Sequence, residues 1–284
     1  MKTLREWLVW AEEKGVAIGH FNVSDSEGFK AVVESAQELG VPVIVGVSES
    51  ERSFLGVAEI RALVKVEQDK GLPVFINADH TYTIPAALEA IDHQFDSVII
   101  DGAEKPFLDN VMMTQEVVRY ARASHPEILI EGELGFIGQG SSIHDELPEG
   151  VSEETQTSVG DAKEFINQTS VDLFAPSVGN IHGLIRGGEP KLNIKRIKAL
   201  HEAVDRPLVL HGASGNTDEE VAQAIKAGIR IVHINTELRL AYKEGVKKGV
   251  LSSDELAPYK FMAEGVEEMK KIVTHKLKLF NGLI

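Results

Sequence analysis

The chain has 284 residues, 43% of them hydrophobic and only 6% aromatic, enough apolar material for a large core built from Ala, Val, Ile and Leu. Its formal net charge of −15 disfavours nucleic acid or an anionic membrane as a partner, so an anionic ligand would need a locally positive pocket. The absence of cysteine excludes disulfides and thiolate chemistry, and no apolar run approaches the roughly 18 residues of a membrane span.

The opening MKTLREWLVWAEEKG reads as an amphipathic helix with acidic residues inside it, unlike a secretory leader, and a cytoplasmic location is expected. Strand-like runs follow at 17–23, 41–48, 73–80, 97–102, 128–135, 172–178, 207–212 and 229–235. They are short, β-branched and closed by Gly, Pro, Asn or Asp, as strands buried on both faces should be. Helical periodicities separate them, at 29–40, 57–71, 110–123 and 218–228 among others. The last starts on Asn216-Thr217-Asp218, good N-cap chemistry, and stops at Gly228. Eight alternating strands favour one closed (β/α)8 TIM barrel over residues 1–284, an α/β fold, ahead of an open doubly wound sheet. The tail, 254–281, adds helix that could cap the barrel or build a subunit contact.

His80, His182 and His211 each follow an apolar strand, in PVFINADH, DLFAPSVGNIH and PLVLH. Strand C-termini of a parallel barrel open onto one face, so the three imidazoles should converge there. Three neutral imidazoles with an open position suit a catalytic zinc-type site, although each histidine could separately satisfy a buried carbonyl. Asp79 stands beside His80; if the strand ends there, both side chains can face the mouth. Asp79 could then shuttle a substrate hydroxyl proton, or only orient the histidine. Asp101, Glu131 and Glu133 bring further carboxylates, readable as orienting partners, alternative metal ligands or structural acids.

The last two strand ends suit phosphate. His211-Gly212-Ala213-Ser214-Gly215 follows the seventh strand, and Asn235-Thr236 opens a helix after the eighth. Barrels commonly hold phosphate here, with backbone N–H groups, a hydroxyl and a helix N-terminus. Gly179 and Gly183 flank His182 and permit close backbone approach.

Taken together, NADHT (77–81), SVIIDGAEKPFLDNVMMTQEVV (97–118), EGELG (131–135), VGNIHG (178–183), LVLHGASG (208–215) and NTELR (235–239) resemble the class II, metal-dependent fructose- and tagatose-bisphosphate aldolases. The resemblance covers almost the whole chain. It implies a lyase of carbohydrate metabolism and glycolysis that splits fructose 1,6-bisphosphate into dihydroxyacetone phosphate and glyceraldehyde 3-phosphate. Tagatose bisphosphate, another ketose phosphate, or a sugar-phosphate binder without catalysis are the alternatives. It implies one catalytic Zn2+ on His80, His182 and His211, with Asp101 and Glu133 serving alternative metal positions. Asp79 becomes the acid/base at the C4 hydroxyl. Gly183, Gly212, Ala213, Ser214, Asn235 and Thr236 match positions for the dihydroxyacetone phosphate half, and Asn22, Val47, Ser48 and Glu49 match early-strand positions near substrate. A monovalent cation (Na+ or K+) near the phosphate and a homodimer or homotetramer are also implied.

Two departures stand out. The family's strand-eight asparagine, which contacts the enediolate, is His233 here, and its lysine is Ile231. The family's Gly-Gly-x-Glu-Asp loop reads Gly138-Gln139-Gly140-Ser141-Ser142-Ile143-His144-Asp145-Glu146, so Ser141 aligns with the glutamate that moves the carbon-bound proton. Residues 136–150 are expected to close over substrate, with Asp145 or Glu146 as the substitute carboxylate. His233 either donates to the enediolate oxygen or is a core histidine bonded to a carboxylate. Cleaving C3–C4 leaves a carbanion that a metal-polarised C2 carbonyl can delocalise. The alternative, a Schiff-base lysine, is disfavoured because no candidate strand ends in lysine. A metal-dependent hydrolase would be favoured by a His-x-His pair on the first strand, which HFNVS (20–24) lacks.

Overall fold

The computed structural model describes residues 2–138, 140, 142–146, 151–186, 191–252 and 254–284. In chain order its first half contains α1 (Leu4–Lys14), β1 (Ile18–Asn22), α2 (Ser26–Leu39), β2 (Val43–Val47), α3 (Glu49–Leu55), α4 (Val57–Asp69), β3 (Val74–Thr81), α5 (Ile84–Asp92), β4 (Ser97–Ile100), α6 (Phe107–Ser124) and β5 (Leu129–Leu134). The second half contains β6 (Ile143–His144), α7 (Val159–Thr169), β7 (Leu173–Pro176), β8 (Leu184–Ile185), α8 (Ile194–Ala203), β9 (Leu208–Leu210), α9 (Asp218–Ala227), β10 (Ile229–Ile234), α10 (Thr236–Ser252), α11 (Pro258–Phe261) and α12 (Ala263–Phe280).

Eight parallel strands close in the order β1-β10-β9-β7-β5-β4-β3-β2, the expected (β/α)8 barrel. Local chemistry sets the helix ends. Thr217 caps α9 in a capping box with Glu220, and Gly228 stops it. Thr3 and Glu6 make the same box at α1.

Period-two alternation divides the strand side chains into two cores. Outward residues such as Phe21, Val45, Ile76 and Ile130 pack under the helices. Inward residues Ile18, Ile44, Phe75, Leu129, Leu173, Val209 and Ile231 meet Leu4, Leu8 and Ala11 of α1. That helix therefore plugs the strands' N-terminal end and leaves the C-terminal mouth for chemistry. The tail does not cap an end of the barrel. Its α12 packs beside α2 and α10 outside β1, with Phe280 O accepting from Ala17 N at 3.0 Å.

Candidate active site

Above the apolar layer the inward positions turn polar. The strands read Ile18-x-His20-x-Asn22, Phe75-x-Asn77-x-Asp79, Leu129-x-Glu131-x-Glu133, Val209-x-His211 and Ile231-x-His233-x-Asn235. One strand departs from simple alternation. The sequence suggests that β3 ends at His80, but it continues to Thr81, and its register with β4 slips between Ala78 and Thr81. His80 sits in this irregularity with φ 37°, a left-handed conformation that costs a non-glycine residue about 1–3 kcal/mol. The slip turns both Asp79 and His80 to the mouth. Buried Arg52 braces it, donating to Val47 O at 2.6 Å, Asp79 O at 3.2 Å and Thr81 Oγ1 at 2.9 Å.

His80, His182 and His211 meet as a group, with one nitrogen from each lying within 4.8 Å of the others. His80 Nε2 and His211 Nδ1 face each other at 3.1 Å. Two ligands of a tetrahedral zinc, each about 2.0–2.1 Å from the ion, stand about 3.3–3.4 Å apart, so little movement would seat one. The second nitrogen of each ring is engaged by a carboxylate, His80 Nδ1 with Asp101 Oδ2 at 2.8 Å and His211 Nε2 with Glu131 Oε1 at 2.7 Å. Such partners fix ring orientation and tautomer in metal sites. Glu133 Oε2 is buried, makes no hydrogen bond among the described residues, and lies 3.8 Å from His80 Nδ1. His182 comes from a loop, because β7 stops at Pro176. Asn180 holds that loop, accepting from Val178 N at 2.8 Å and donating to His211 O at 2.9 Å.

The electrostatics call for one cation here. Burial opposes charge on His80, yet Asp79, the hydrogen bond to Asp101 and nearby Glu133 lift it to about 10. Burial, and then that cation, push His211 down to about 3 and His182 well below its ordinary value. Burial raises Glu131 to about 7 against the pull of His233 and His20. Burial also raises Glu133 well above the carboxylate range, with Asp101 adding to the effect. A proton on His80 thus occupies the electrostatic place of a metal ion, and the donor set fits a divalent metal.

Asp79 Oδ2 accepts from Asn22 Nδ2 at 2.8 Å, while Oδ1 faces His233 Nδ1 at 3.4 Å and His80 Nε2 at 3.9 Å. Burial works to raise Asp79, but His80 and the contact from His233 hold it well below its ordinary value. His233 faces a carboxylate, as a core histidine would, and it also lines the cavity, where a substrate oxygen could reach it.

Gly183, Gly212, Ser214, Asn235 and Thr236 line one side of the same cavity, at the N-terminus of α10. A Cβ on Gly212 would lie 2.1 Å from Ile181 O, so the loops carrying His182 and His211 can pack together only through glycine. Asn22 and Ser48 also line the cavity, and Ala213 is buried behind it.

The loop carboxylates sit elsewhere. Strand β6 pairs in parallel with β8, tying residues 143–144 to the segment after His182. Asp145 consequently points outward to Arg186 at 3.0 Å, with the two side chains 84% and 75% exposed. Neither Asp145 nor Glu146 lines the cavity. Ser141, the position aligned with the family glutamate, lies outside the described residues, as do Gln139 and residues 147–150.

A sequence model described as Fructose-bisphosphate aldolase class-II matches residues 2–282. The chain belongs to the class II aldolase family. This aldolase is 33% identical over 286 residues to the 6-phospho-5-dehydro-2-deoxy-D-gluconate aldolase of Bacillus licheniformis, covering 99% of this chain and 94% of that one. It is 32% identical over 285 residues to the fructose-bisphosphate aldolase of Staphylococcus aureus, covering 98% and 96%. Among solved structures it resembles the YdjI aldolase from Escherichia coli K12, with TM-score 0.84, 29% identity and coverage of 98% and 96%. Class II aldolases are metal-dependent lyases, and this aldolase has histidine and carboxylate groups able to hold a metal.

Sequence reasoning missed three parts of the aldolase's site. His20 lies flat under His233, and Gly46 makes room for it, since a Cβ there would come within 2.0 Å of the ring. The inward alternation of β1 was a usable signal for His20. Asn180 and Arg52 gave none, because each also reaches a partner far off in sequence, His211 O for Asn180 and Asp79 O and Thr81 Oγ1 for Arg52.

Proposed function

We propose that the protein reversibly cleaves the C3–C4 bond of a ketose phosphate to dihydroxyacetone phosphate and an aldehyde, using one zinc ion on His80, His182 and His211. The observation that carries this reading is convergence. The imidazole trio, Asp79 and the glycine-rich end all open into one cavity of about 550 Å³. Three imidazoles with an open position suit zinc, and Asp101 and Glu133 beside His80 offer further donors. When bound, zinc would act as a Lewis acid, easing negative charge at the substrate's carbonyl oxygen.

The chain's own groups do the rest. Asp79 takes the C4 hydroxyl proton as the carbon–carbon bond breaks, with Asn22 fixing its other oxygen. His233 donates to the oxygen that gains charge at C2. Backbone N–H groups at Gly183, Gly212 and Ala213, with Ser214, Asn235 and Thr236, hold the phosphate. Asn235 Oδ1, which has no hydrogen-bond partner among the described residues, is open to a monovalent cation there. Ser48 bounds the opposite side. Asp145 or Glu146 would have to swing inward, breaking the Arg186 pair, to move the carbon-bound proton.

The relatives' names include a bisphosphate and a compound carrying a single phosphate, which supports a ketose phosphate as the substrate, with fructose 1,6-bisphosphate and tagatose 1,6-bisphosphate the first to assay. A cytoplasmic homodimer or homotetramer in carbohydrate metabolism is the setting we infer. Leu251, Leu256 and Tyr259, all strongly exposed, offer a subunit surface, and no helix among the described residues is long and apolar enough to cross a membrane. A coupled assay for triose-phosphate release from a panel of ketose phosphates, with and without added zinc, tests the proposal. Release from at least one member is expected, and none from any zinc-loaded mixture would reject it.

A further inference from the structure

A run of polar contacts leads from Asp79 to a cation on another element. Asn22 Nδ2 donates to Asp79 Oδ2 at 2.8 Å and to Glu51 Oε2 at 2.9 Å. Both hydrogens of one amide nitrogen are therefore spent on carboxylates. Turning the amide over would set its carbonyl oxygen against both, so each carboxylate fixes the amide for the other. Asn22, Glu51 and Asp79 are all buried, and Asp79 Oδ1 has no hydrogen-bond partner among the described residues, open to a substrate hydroxyl.

Glu51 stands in the first turn of α3, where its Oε2 also accepts from Ser48 N at 2.8 Å and Ser48 Oγ at 2.9 Å. A glutamate at this helical position commonly reaches back in that way, and glutamine does so equally. Capping the helix therefore needs no charge here. The charge is met by a separate contact, since Glu51 Oε1 accepts from Arg239 Nη2 at 2.6 Å. Arg239 comes from α10, one turn beyond Asn235 and Thr236 on the phosphate side, and its side chain is 46% exposed against 5% for Glu51. A buried carboxylate left without its cation is costly, so the position of Glu51 depends on Arg239.

We propose that Glu51 and Arg239 are positioning residues for the acid/base. The ion pair holds Glu51 in place, Glu51 orients Asn22, and Asn22 presents Asp79 to the C4 hydroxyl. The inference rests on the aldolase reading given above and adds two residues to it.

The test compares two reactions of the zinc-loaded full chain. Triose-phosphate release requires Asp79. It is measured on whichever ketose phosphate the parent cleaves fastest, from a panel that includes fructose 1,6-bisphosphate, tagatose 1,6-bisphosphate and fructose 1-phosphate. Dihydroxyacetone phosphate has no C4 hydroxyl, so solvent hydrogen exchange into it does not require Asp79. Arg239→Met should lower kcat for cleavage about 10–100-fold while KM and exchange stay near the parent's. Adding Glu51→Gln removes the buried charge and keeps an acceptor for Ser48 and Asn22, so the double variant should recover most of that loss. Glu51→Ala, which removes the acceptor, should slow cleavage and not exchange. Unchanged cleavage, cleavage and exchange falling together, a rise in KM alone, or a double variant as slow as Arg239→Met overturns this inference and leaves the aldolase reading standing. No release by the parent from any member of the panel overturns the aldolase reading and this inference with it.

Discussion

His20 lies flat on His233, with ring centroids 3.4 Å apart and planes only 4° from parallel. On the other face of His233, the His211 ring lies 3.9 Å away. Register explains the pair, since His20 and His233 are direct partners across β1 and β10. Two neutral rings stack here because burial, the larger influence on each, pushes both below the ordinary histidine value. The stack fixes the plane of His233 and hence the direction of its Nδ1 toward Asp79.

If His233 donates to the developing oxygen anion, His233→Asn restores an amide donor and keeps activity. The variant should lose from its pH–rate profile one ionisation that lies below the ordinary histidine range, where burial places His233. An unchanged profile, or a variant that fails to fold, would assign His233 a packing role. His20→Ala provides the contrast: it removes the stacked ring and should raise KM or lower kcat without changing metal content.

Asp79→Asn should retain metal and substrate binding and lose on the order of 10²–10⁴ in turnover, because an amide cannot take the C4 hydroxyl proton. Metal analysis and steady-state kinetics on one preparation check this. Near-normal turnover would mean that Asp79 only orients its neighbours.

Metal binding should be pH-dependent. His80 in the metal-free protein titrates at about 10, above its ordinary 6.5, so near neutrality metal uptake must displace its proton. Affinity should rise with pH toward about 10, and calorimetry in buffers of different ionisation enthalpy should register proton release. The same shift means that the cation's contribution to metal-free stability is complete below about 6.5 and lost as pH rises through about 10. Alanine at His80, His182 or His211 should strip the metal, and Glu131→Gln should lower affinity about 10–100-fold. Full metal retention in all three alanine variants contradicts the assigned ligand set.

Much of this site was legible because strand side chains alternate with period two. Ile18-x-His20 and Leu129-x-Glu131-x-Glu133 announce an apolar floor with polar groups above it, and the imidazoles at His80 and His211 follow from strand ends. The β3 irregularity was not legible. Asp79-His80 reads as a strand terminus, whereas the chain continues through a left-handed residue whose support, Arg52, comes from α3. The loop after β5 is a similar case. The expectation that residues 136–150 close over substrate takes no account of the pairing of β6 with β8, a long-range contact that no local pattern reveals.

That pairing shapes a prediction for the loop. If Asp145 or Glu146 moves the carbon-bound proton, Asp145→Ala and Glu146→Ala together should slow hydrogen exchange on dihydroxyacetone phosphate. Arg186→Ala should then speed it by releasing Asp145. Exchange equal to the parent's in every variant would place the proton carrier elsewhere.

Arg52→Met should lower unfolding free energy by about 1.5–3 kcal/mol, the scale of lost charged hydrogen bonds. It should also weaken metal binding, because the conformation of His80 loses its brace. Unfolding by urea and metal titration report the two effects separately, and an unchanged metal affinity would separate Arg52 from the site.

The central claim is that one zinc ion on His80, His182 and His211 enables carbon–carbon bond cleavage. Its most direct test is a titration of the metal-free protein with zinc while triose-phosphate release from a cleavable ketose phosphate is followed. The account predicts activity that is absent without metal and rises linearly to a break at one ion per subunit. Activity that is full after chelation, or that stays absent with the metal bound, would contradict it.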